Sequence, residues 1–234
     1  MPKRDDAVAS PTAPAFVIDM SKPPLNEVYK TLLESWGPQH WWPGRTRFEV
    51  IVGAILTQNT AWTNVEKAIR RLRQEKALTP QRLHEVELDT LAEWIRPAGY
   101  FNVKARRLRA FTEALFEQFN GSLNQLFSLP QSELRVTLLE IKGIGKETAD
   151  SIILYAANRP QFVIDAYTRR MLERHGWADA RADYDELAEL FVTQLPPDTT
   201  LYNEFHALIV NLGKEYCRPR PRCEDCPLRP FLHS

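Results

Sequence analysis

The chain has 234 residues, of which 44% are hydrophobic and 26% are charged, the balance of a globular protein with a buried core. Its 30 lysines and arginines offset 30 aspartates and glutamates. This balance excludes nucleic-acid binding through bulk charge alone, because such binding depends on neutralised phosphates. Charge can still be sorted onto faces, as the basic runs at 104–109 and 218–229 indicate.

The N-terminal segment 1–24 is rich in proline, alanine and short polar residues, which predicts a disordered leader. It lacks the long apolar stretch of a secretory signal, so we expect the protein in the cytoplasm. No apolar run elsewhere approaches the ~20 residues of a membrane span. We therefore expect no membrane association, and a monomer.

Hydrophobic residues recur at helical spacing through nearly all of the remaining chain, and no alternating strand pattern interrupts them. Glycine and proline separate one helical run from the next. The pattern predicts an all-α fold with short loops. We place one helical lobe at 44–155 and a second lobe at 25–43 together with 156–234, with a cleft between them.

An unusual pair of tryptophans precedes a proline in Trp41-Trp42-Pro43, and Trp62 follows nearby. Adjacent side chains point to different sides, so one indole can pack in the core while the other lines a cleft. Indole faces attract flat or cationic groups through stacking and cation–π interactions. The alternative is that these rings serve only as packing within or between the lobes.

Two glycines flank one aliphatic residue between two helical runs, in Lys142-Gly143-Ile144-Gly145-Lys146. The glycines allow a tight turn with close backbone approach, and Ile144 anchors the turn in the core. The helix that follows, which contains Thr148, presents N–H groups suited to an anion such as a DNA phosphate. An ordinary turn between helices is the alternative.

A carboxylate stands directly before a new helical run in Ile164-Asp165-Ala166, the place of an N-cap. A helix N-terminus favours the ionised form of such a group. Asp165 therefore has the properties of a fixed negative charge, whether its role is capping, catalysis or both.

Together these residues resemble the helix–hairpin–helix DNA glycosylases of the endonuclease III superfamily, from about Leu25 to the cysteines near the C-terminus. The resemblance implies a two-lobed fold with a cleft and a damaged DNA duplex whose target base is flipped out. It also implies that Asp165 is the catalytic carboxylate. Breaking an N-glycosidic bond builds positive charge on the sugar, which a fixed carboxylate stabilises.

Bifunctional members of that superfamily carry a nucleophilic lysine two residues after the second hairpin glycine, where this chain has Glu147. Lys146 is adjacent, but one step along a helix turns a side chain by about 100°. We therefore expect a monofunctional enzyme that uses water and leaves the strand uncut. In this reading Glu147 contacts the sugar, the water or the flipped base.

The segment Leu56-Thr57-Gln58-Asn59 resembles the superfamily motif whose glutamine fills the gap left by the flipped nucleotide. Strict counting puts Asn59 at that position, but we favour Gln58 for its longer reach. The tandem tryptophans, Trp62 and Glu147 are similar to the 3-methyladenine DNA glycosylase III branch. That similarity implies an alkylated purine as the excised base.

The three cysteines, Cys217, Cys223 and Cys226, lie close together in the sequence. Superfamily members often hold a [4Fe–4S] cluster with four cysteines there, because soft thiolates suit iron–sulfur clusters. Here the first spacing is one residue shorter, and Leu232 and His233 stand where the fourth cysteine is expected. A cluster held by three cysteines with or without His233, a metal-free packed tail, and a zinc site all stay open.

Three other functions remain as alternatives to an alkylpurine glycosylase. The first is a bifunctional glycosylase and lyase acting on oxidised pyrimidines, with Lys146 as nucleophile. The second is a glycosylase for mismatched thymine or uracil. The third is a DNA-binding module without catalysis. Glu147 argues against the lyase, and the placement of Asp165 after the hairpin argues against the silent module.

Overall fold

The computed structural model describes residues 22–42 and 44–232. Within these ranges the chain forms twelve α-helices and no strand, as the sequence predicted. No helix in the described ranges is long and apolar enough to cross a membrane. Most of the predicted leader 1–24 lies outside the described residues, as do Pro43 and His233.

The α-helices follow one another through short turns, and three other helical segments complete the chain: a 3₁₀ turn at Arg96–Ala98, a π-helical turn at Ile152–Ala156 that continues α9, and a 3₁₀ turn at Arg229–Phe231. In chain order the α-helices are α1 (Leu25–Trp36), α2 (Arg47–Leu56), α3 (Trp62–Gln74), α4 (Pro80–Glu85), α5 (Leu88–Trp94), α6 (Phe101–Phe119), α7 (Leu123–Leu126), α8 (Gln131–Glu140), α9 (Lys146–Ser151), α10 (Ala166–Arg174), α11 (Tyr184–Gln194) and α12 (Thr199–Glu215).

Side-chain caps fix where several of these helices begin. Thr46 accepts a hydrogen bond from the backbone N–H of Glu49 at the start of α2. Asp183 and Glu186 form a reciprocal capping box at the start of α11, and Asp198 caps α12. Each cap satisfies N–H groups that the first turn of a helix leaves without an internal partner.

Buried hydrophobic side chains gather in two clusters. The first core cluster joins α2 to α9 and the π-helical turn, from Phe48 to Ala156. The second core cluster joins α1 to α10, α11 and α12 and includes the extended segment 162–164. Tyr155 packs against both clusters, so the end of the π-helical turn is a point where they meet.

The basic run at 104–109 does not form one solvated face. Lys104 is fully buried in the first core cluster, where its Nζ donates to the carbonyl oxygens of Leu56 (2.9 Å) and Ala98 (2.8 Å). Burial, and then the charge of Arg107, lowers the pKa of Lys104 to about 8. Arg109 donates to backbone carbonyls. Two of the four cations therefore hold the fold together rather than face solvent.

Candidate active site

Asp165 is the N-cap of α10, as its position in the sequence predicted. One carboxylate oxygen accepts hydrogen bonds from the backbone N–H of Thr168 (2.7 Å) and from its hydroxyl (2.9 Å). The side chain is 13% exposed, and its second oxygen lies 3.6 Å from Nε2 of His206. The carboxylate is thus fixed on one oxygen by the helix start and faces a histidine with the other.

The pKa of Asp165 is lowered although burial alone would raise it. Interaction with His206 and the two hydrogen bonds from Thr168 outweigh the desolvation. Groups that favour the charged form hold a carboxylate ionised even where little water reaches it. Asp165 is therefore a negative charge at neutral pH.

His206 is a residue of this site that the sequence patterns did not single out. It lies on α12 among the apolar side chains of the second core cluster and is only 6% exposed. Its Nδ1 is 2.5 Å from the hydroxyl oxygen of Tyr155. The available signal was a lone titratable side chain in an apolar helical stripe, a place where most histidines are only packed.

Glu147 stands in the first turn of α9, in the electrostatic field of Asp165 and His206. The residue is solvent accessible, yet partial burial by the surrounding protein, followed by the negative charge of Asp165, raises its pKa above the usual value. The charge of Asp165 thus acts on Glu147, and we refer to these two carboxylates as one electrostatic unit.

Lys146 turns away from that unit. Its Nζ lies 2.5 Å from a carboxylate oxygen of Asp185 on α11. The hydrogen bond to Asp185 raises the pKa of Lys146, which favours the protonated amine over the free amine that a nucleophile needs.

The backbone before Asp165 is held by a buried polar network. Arg135 binds the fully buried carboxylate of Asp150 through Nε (2.7 Å) and Nη2 (3.1 Å). Asp150 also interacts with the hydroxyl of Tyr184, which accepts a hydrogen bond from the N–H of Ile164 at 3.2 Å. This network ties α8, α9 and α11 to the residue that precedes Asp165.

The glycine hairpin forms the turn between α8 and α9. Gly143 has φ +93°, the left-handed region that favours glycine, and an added Cβ would lie 2.4 Å from Cγ of Arg107. Ile144 is 5% exposed and belongs to the first core cluster. Gly145 is the N-cap of α9, with open space around it. Lys142 is exposed at the tip.

Gln58 is bound to this hairpin. Its Nε2 donates to the carbonyl oxygen of Gly143 (3.1 Å) and to the hydroxyl of Thr148 (2.9 Å). Arg107 donates to its Oε1. The neighbouring Asn59 is exposed and has a left-handed backbone with φ +54°. The two candidate amides therefore have different settings, one bonded to the hairpin and the other open to solvent.

The three tryptophans form a closed aromatic cluster. The ring centroids of Trp41 and Trp62 are 5.6 Å apart with the planes tilted by 53°, and Trp42 lies 5.1 Å from Trp62. A flat base between two parallel rings needs a separation of about 7 Å, twice the usual carbon–carbon contact distance. A base held between the rings of Trp41 and Trp62 would therefore require these indoles to move apart.

Two further groups border the aromatic cluster. Nζ of Lys214 on α12 lies 5.7 Å from the ring centroid of Trp41, a cation–π arrangement. The ring of Tyr155 lies 5.0 Å from that of Trp42. The cluster thus touches both a cation and the same tyrosine that bonds His206.

A cavity of about 290 Å³ opens beside the aromatic cluster. Trp42 and Trp62 form part of its wall, together with the ion pair of Glu49 and Arg73, whose N–O distance is 2.7 Å. Asp165 does not line it. The cavity is therefore separate from Asp165 and Glu147, and it borders Trp42 and Trp62 but not Trp41.

The cysteine segment packs beside α10. Cys217 is buried, while Cys223 and Cys226 are partly exposed. Arg170 donates to the carbonyl oxygen of Cys217 (2.6 Å), and Arg174 approaches its Sγ at 3.4 Å. Within residues 22–42 and 44–232, no three His, Cys, Asp or Glu side chains are grouped so as to hold a metal ion. Cys226 nevertheless interacts electrostatically with both Cys217 and Cys223.

Sequence comparisons identify relatives over most of the chain. Residues 52–197 match the family model described as "HhH-GPD superfamily base excision DNA repair protein". The chain is 48% identical over 212 residues to the "Putative DNA repair glycosylase" of Methanocaldococcus jannaschii, covering 90% of this chain and 96% of that protein. It is 30% identical to endonuclease III of Sulfolobus acidocaldarius, over 80% of this chain and 83% of that one.

Structural comparisons agree on the architecture. The structure of H. pylori 3-methyladenine DNA glycosylase bound to 1,N6-ethenoadenine superposes with a TM-score of 0.71 and 30% identity, covering 82% of this chain and 97% of that one. A non-covalent endonuclease III–DNA complex superposes with a TM-score of 0.77 and 23% identity, covering 89% and 94%. The all-α fold expected from the resemblance is thereby confirmed.

Proposed function

This chain is a DNA repair glycosylase that belongs to the HhH-GPD superfamily, and we propose that it excises a damaged base by hydrolysis, without cutting the strand. The observation that carries the proposal is the electrostatic unit of Asp165 and Glu147 together with the withdrawal of Lys146 to Asp185. Asp165 stays ionised. Glu147 occupies the sequence position of the lyase nucleophile, and the amine of Lys146 is paired with Asp185.

The proposed role of Asp165 follows from its charge. As the N-glycosidic bond breaks, positive charge grows on the deoxyribose, and a fixed, ionised carboxylate stabilises it most when water is scarce. Asp165 is held by Thr168, largely buried, and has a lowered pKa. The same carboxylate can orient the attacking water, while Glu147 contacts the sugar, the water or the flipped base. The products are a free base and an abasic site.

We propose that duplex DNA binds across the glycine hairpin. The backbone at Gly143 and Gly145, with Ile144 as the buried anchor, holds a phosphate, and Lys142 and Lys146 belong to the same surface. Thr148 is buried and would act on DNA only indirectly, through its hydrogen bond with Gln58. Open space around Gly145 supports close approach of the DNA backbone. Contacts of this kind position a duplex without reading its sequence.

The gap left by the flipped nucleotide needs one side chain from the segment 57–60. Gln58, favoured by the sequence, would have to give up its bonds to Gly143 and Thr148 to enter the duplex. Asn59 is already exposed. We therefore propose that Asn59 enters the gap and that Gln58 acts on DNA indirectly, by bracing the hairpin.

The proposed substrate is an alkylated purine such as 3-methyladenine. Trp41, Trp42 and Trp62 supply electron-rich faces for a cationic base, with Pro43 beside them in the sequence. The H. pylori glycosylase supports this choice, because its structure contains 1,N6-ethenoadenine. The ammonium of Lys214 already lies over the face of Trp41. A cationic base that stacks on that face must therefore displace it.

The two core clusters support the proposed division into lobes 44–155 and 25–43 with 156–234, with the flipped base between them. For the C-terminal segment, a [4Fe–4S] cluster on Cys217, Cys223 and Cys226 stays a prediction from the resemblance alone. No step of the proposed chemistry passes through it.

The test of this function is Asp165→Asn on a panel of duplexes carrying alkylated, oxidised or mismatched bases. Asparagine caps helices as well as aspartate does, so we expect normal folding and DNA binding but no excision. Asp198→Asn is the matched control, because Asp198 also caps a helix but lies at the start of α12. Undiminished excision by Asp165→Asn would remove the proposed role of Asp165.

Borohydride trapping on the same panel separates hydrolysis from lyase chemistry. An amine nucleophile forms an imine with the sugar that borohydride reduces to a stable adduct, whereas a water-using enzyme forms none. We expect no trapped complex with any duplex that the enzyme excises. A strong adduct that disappears in Lys146→Ala would instead support the bifunctional alternative.

A further inference from the structure

We propose that His206 and Tyr155 are positioning residues that orient the carboxylate of Asp165 and hold it ionised, an inference that rests on the proposed role of Asp165. His206 lies between the other two: Nδ1 is 2.5 Å from the hydroxyl of Tyr155, and Nε2 is 3.6 Å from the free carboxylate oxygen of Asp165. The three side chains come from the π-helical turn, from α12 and from the start of α10.

The hydrogen positions follow from the partners. An ionised carboxylate only accepts hydrogen bonds, so the ring nitrogen that faces Asp165 carries hydrogen. When Nε2 alone carries hydrogen, Nδ1 is an acceptor, and Tyr155 donates its hydroxyl hydrogen to it. Burial, and then the charge of Asp165, raises the pKa of Tyr155 well above its usual value. The phenol therefore keeps the proton that this arrangement needs.

The long distance between Nε2 of His206 and the carboxylate oxygen of Asp165 is the observation that suggests a function. This nitrogen is buried and has no hydrogen-bond partner among residues 22–42 and 44–232, and 3.6 Å exceeds the 2.7–3.2 Å of an N–H···O bond. An orphaned buried donor costs free energy. Catalytic hydrogen bonds are often long in a free enzyme and tighten in the complex. A shift of about half an ångström would complete the bond to Asp165.

The surroundings of His206 limit what else can act on it. The ring of Phe162 contacts it edge-on at 6.4 Å, and the ring of Tyr155 lies at 6.0 Å. Asp165 and Glu147 are the charged groups that interact with it. Because Tyr155 also packs 5.0 Å from Trp42, the same phenol joins the aromatic cluster to the carboxylate.

The experiment compares Tyr155→Phe, His206→Gln and His206→Ala with wild type in single-turnover excision of the panel duplex that wild type excises fastest. We expect Tyr155→Phe and His206→Ala to slow excision by about ten- to a hundredfold, the scale of one charge-assisted hydrogen bond, with DNA affinity unchanged. His206→Gln keeps an N–H donor and should recover part of the rate. The acid limb of the pH–rate profile should move to higher pH in the two slow variants.

A second measurement does not depend on excision. Carboxyl-carbon NMR of the free protein should show Asp165 titrating at higher pH in His206→Ala than in wild type. Controls are Tyr202→Phe, which removes another buried hydroxyl of the second core cluster, and His84→Ala, which removes a histidine stacked on Phe116. Neither should move the titration.

The outcomes separate this inference from the proposed function. If Asp165→Asn abolishes excision while the profiles and titrations of the Tyr155 and His206 variants match wild type, the positioning role is wrong and the role of Asp165 stands. If Asp165→Asn stays active, the proposed function itself fails. Tyr155→Phe keeps the test decisive should His206→Ala not fold, because it removes one oxygen and leaves the packed ring.

Discussion

The two carboxylates of the site carry opposite pKa shifts although they lie in one electrostatic unit. The pKa of Asp165 is lowered because His206 and Thr168 stabilise its charge more than burial opposes it. The pKa of Glu147 is raised by partial burial and by the charge of Asp165. Neighbouring groups whose pKa values are pushed apart can take different roles in acid–base chemistry. Asp165 is suited to remain an anion, and Glu147 to exchange a proton.

Glu147→Gln should stabilise the folded protein at neutral pH. The folded state raises the pKa of Glu147 above its usual value near 4.5, so ionised Glu147 opposes folding at pH values above that raised pKa. We expect a gain of less than about 1 kcal/mol, because Glu147 is solvent accessible and its charge is screened. Thermal unfolding should show a rise in Tm of at most about 2–4 °C.

The pH dependence is the control for that prediction. Below the usual glutamate pKa both the folded and the unfolded state bind the proton, so the difference in Tm between Glu147→Gln and wild type should vanish. The wild-type protein also loses stability in acid as Asp165 is protonated, which is why the comparison is made between the two proteins. A gain that persisted unchanged at acidic pH would contradict the electrostatic explanation.

Gln58→Ala and Asn59→Ala should fail in different ways. Gln58→Ala removes the bonds to Gly143 and Thr148, so the free energy of unfolding should fall by about 1–2 kcal/mol. Asn59→Ala should cost about 1 kcal/mol of stability, because a left-handed backbone with φ +54° suits asparagine better than alanine, and it should slow excision. Chemical denaturation and single-turnover excision measure the two effects. Normal excision by Asn59→Ala would return the gap-filling role to Gln58.

At the scale of elements, the glycine hairpin gives a matched pair of substitutions. Gly143→Ala places a Cβ at φ +93° and 2.4 Å from Arg107, which should cost about 1–3 kcal/mol of stability. Gly145→Ala meets no atom within 4 Å and has φ −97°, so it should fold normally. It should still bind duplex DNA more weakly, because the new methyl group stands where a phosphate approaches.

Denaturation curves and anisotropy titrations with a labelled duplex test the pair. Equal destabilisation by both substitutions would contradict the conformational argument for Gly143. Normal DNA affinity of a well-folded Gly145→Ala would contradict the proposed phosphate contact at that position.

Features of these elements that depend on neighbouring residues could be predicted from the sequence alone. The hairpin, the cap at Asp165 and the helical pattern were predictable, because each depends on neighbouring residues. The burial of Lys104 follows from a helical periodicity in the sequence, because Lys104 shares one face of α6 with Leu108, Phe111 and Leu115. The neighbouring basic residues obscure that periodicity.

Other features depend on distances between elements far apart in the chain. The pairing of Lys146 with Asp185 joins α9 to α11, and the contact of His206 with Asp165 joins α12 to α10. The contact between Trp41 and Trp62 depends on how the segment before α2 packs against the start of α3. Composition and residue spacing do not give the distances between elements that are far apart in the chain. These contacts are therefore visible only in the folded structure.

At the scale of the whole molecule, the C-terminal segment packs against the second core cluster through Cys217. Because Cys217 is buried in the second core cluster, Cys217→Ala should lower the free energy of unfolding by about 1–2 kcal/mol. Cys223→Ala should change it by less than about 0.5 kcal/mol, since Cys223 is partly exposed. Iron analysis of anaerobically purified protein completes the test. Stoichiometric iron, together with an equal loss of stability on replacing any of the three cysteines, would support a bound cluster.

The second core cluster joins the first helix of the chain to the last ones. Helix α1 packs against α11 and α12, whereas α2 to α9 pack largely among themselves in the first core cluster. During synthesis on the ribosome α1 therefore emerges well before α11 and α12, and it lacks these packing partners until they follow. Pulse-labelled hydrogen exchange during refolding should find the amides of α1 protected together with those of α12, and later than those of α2.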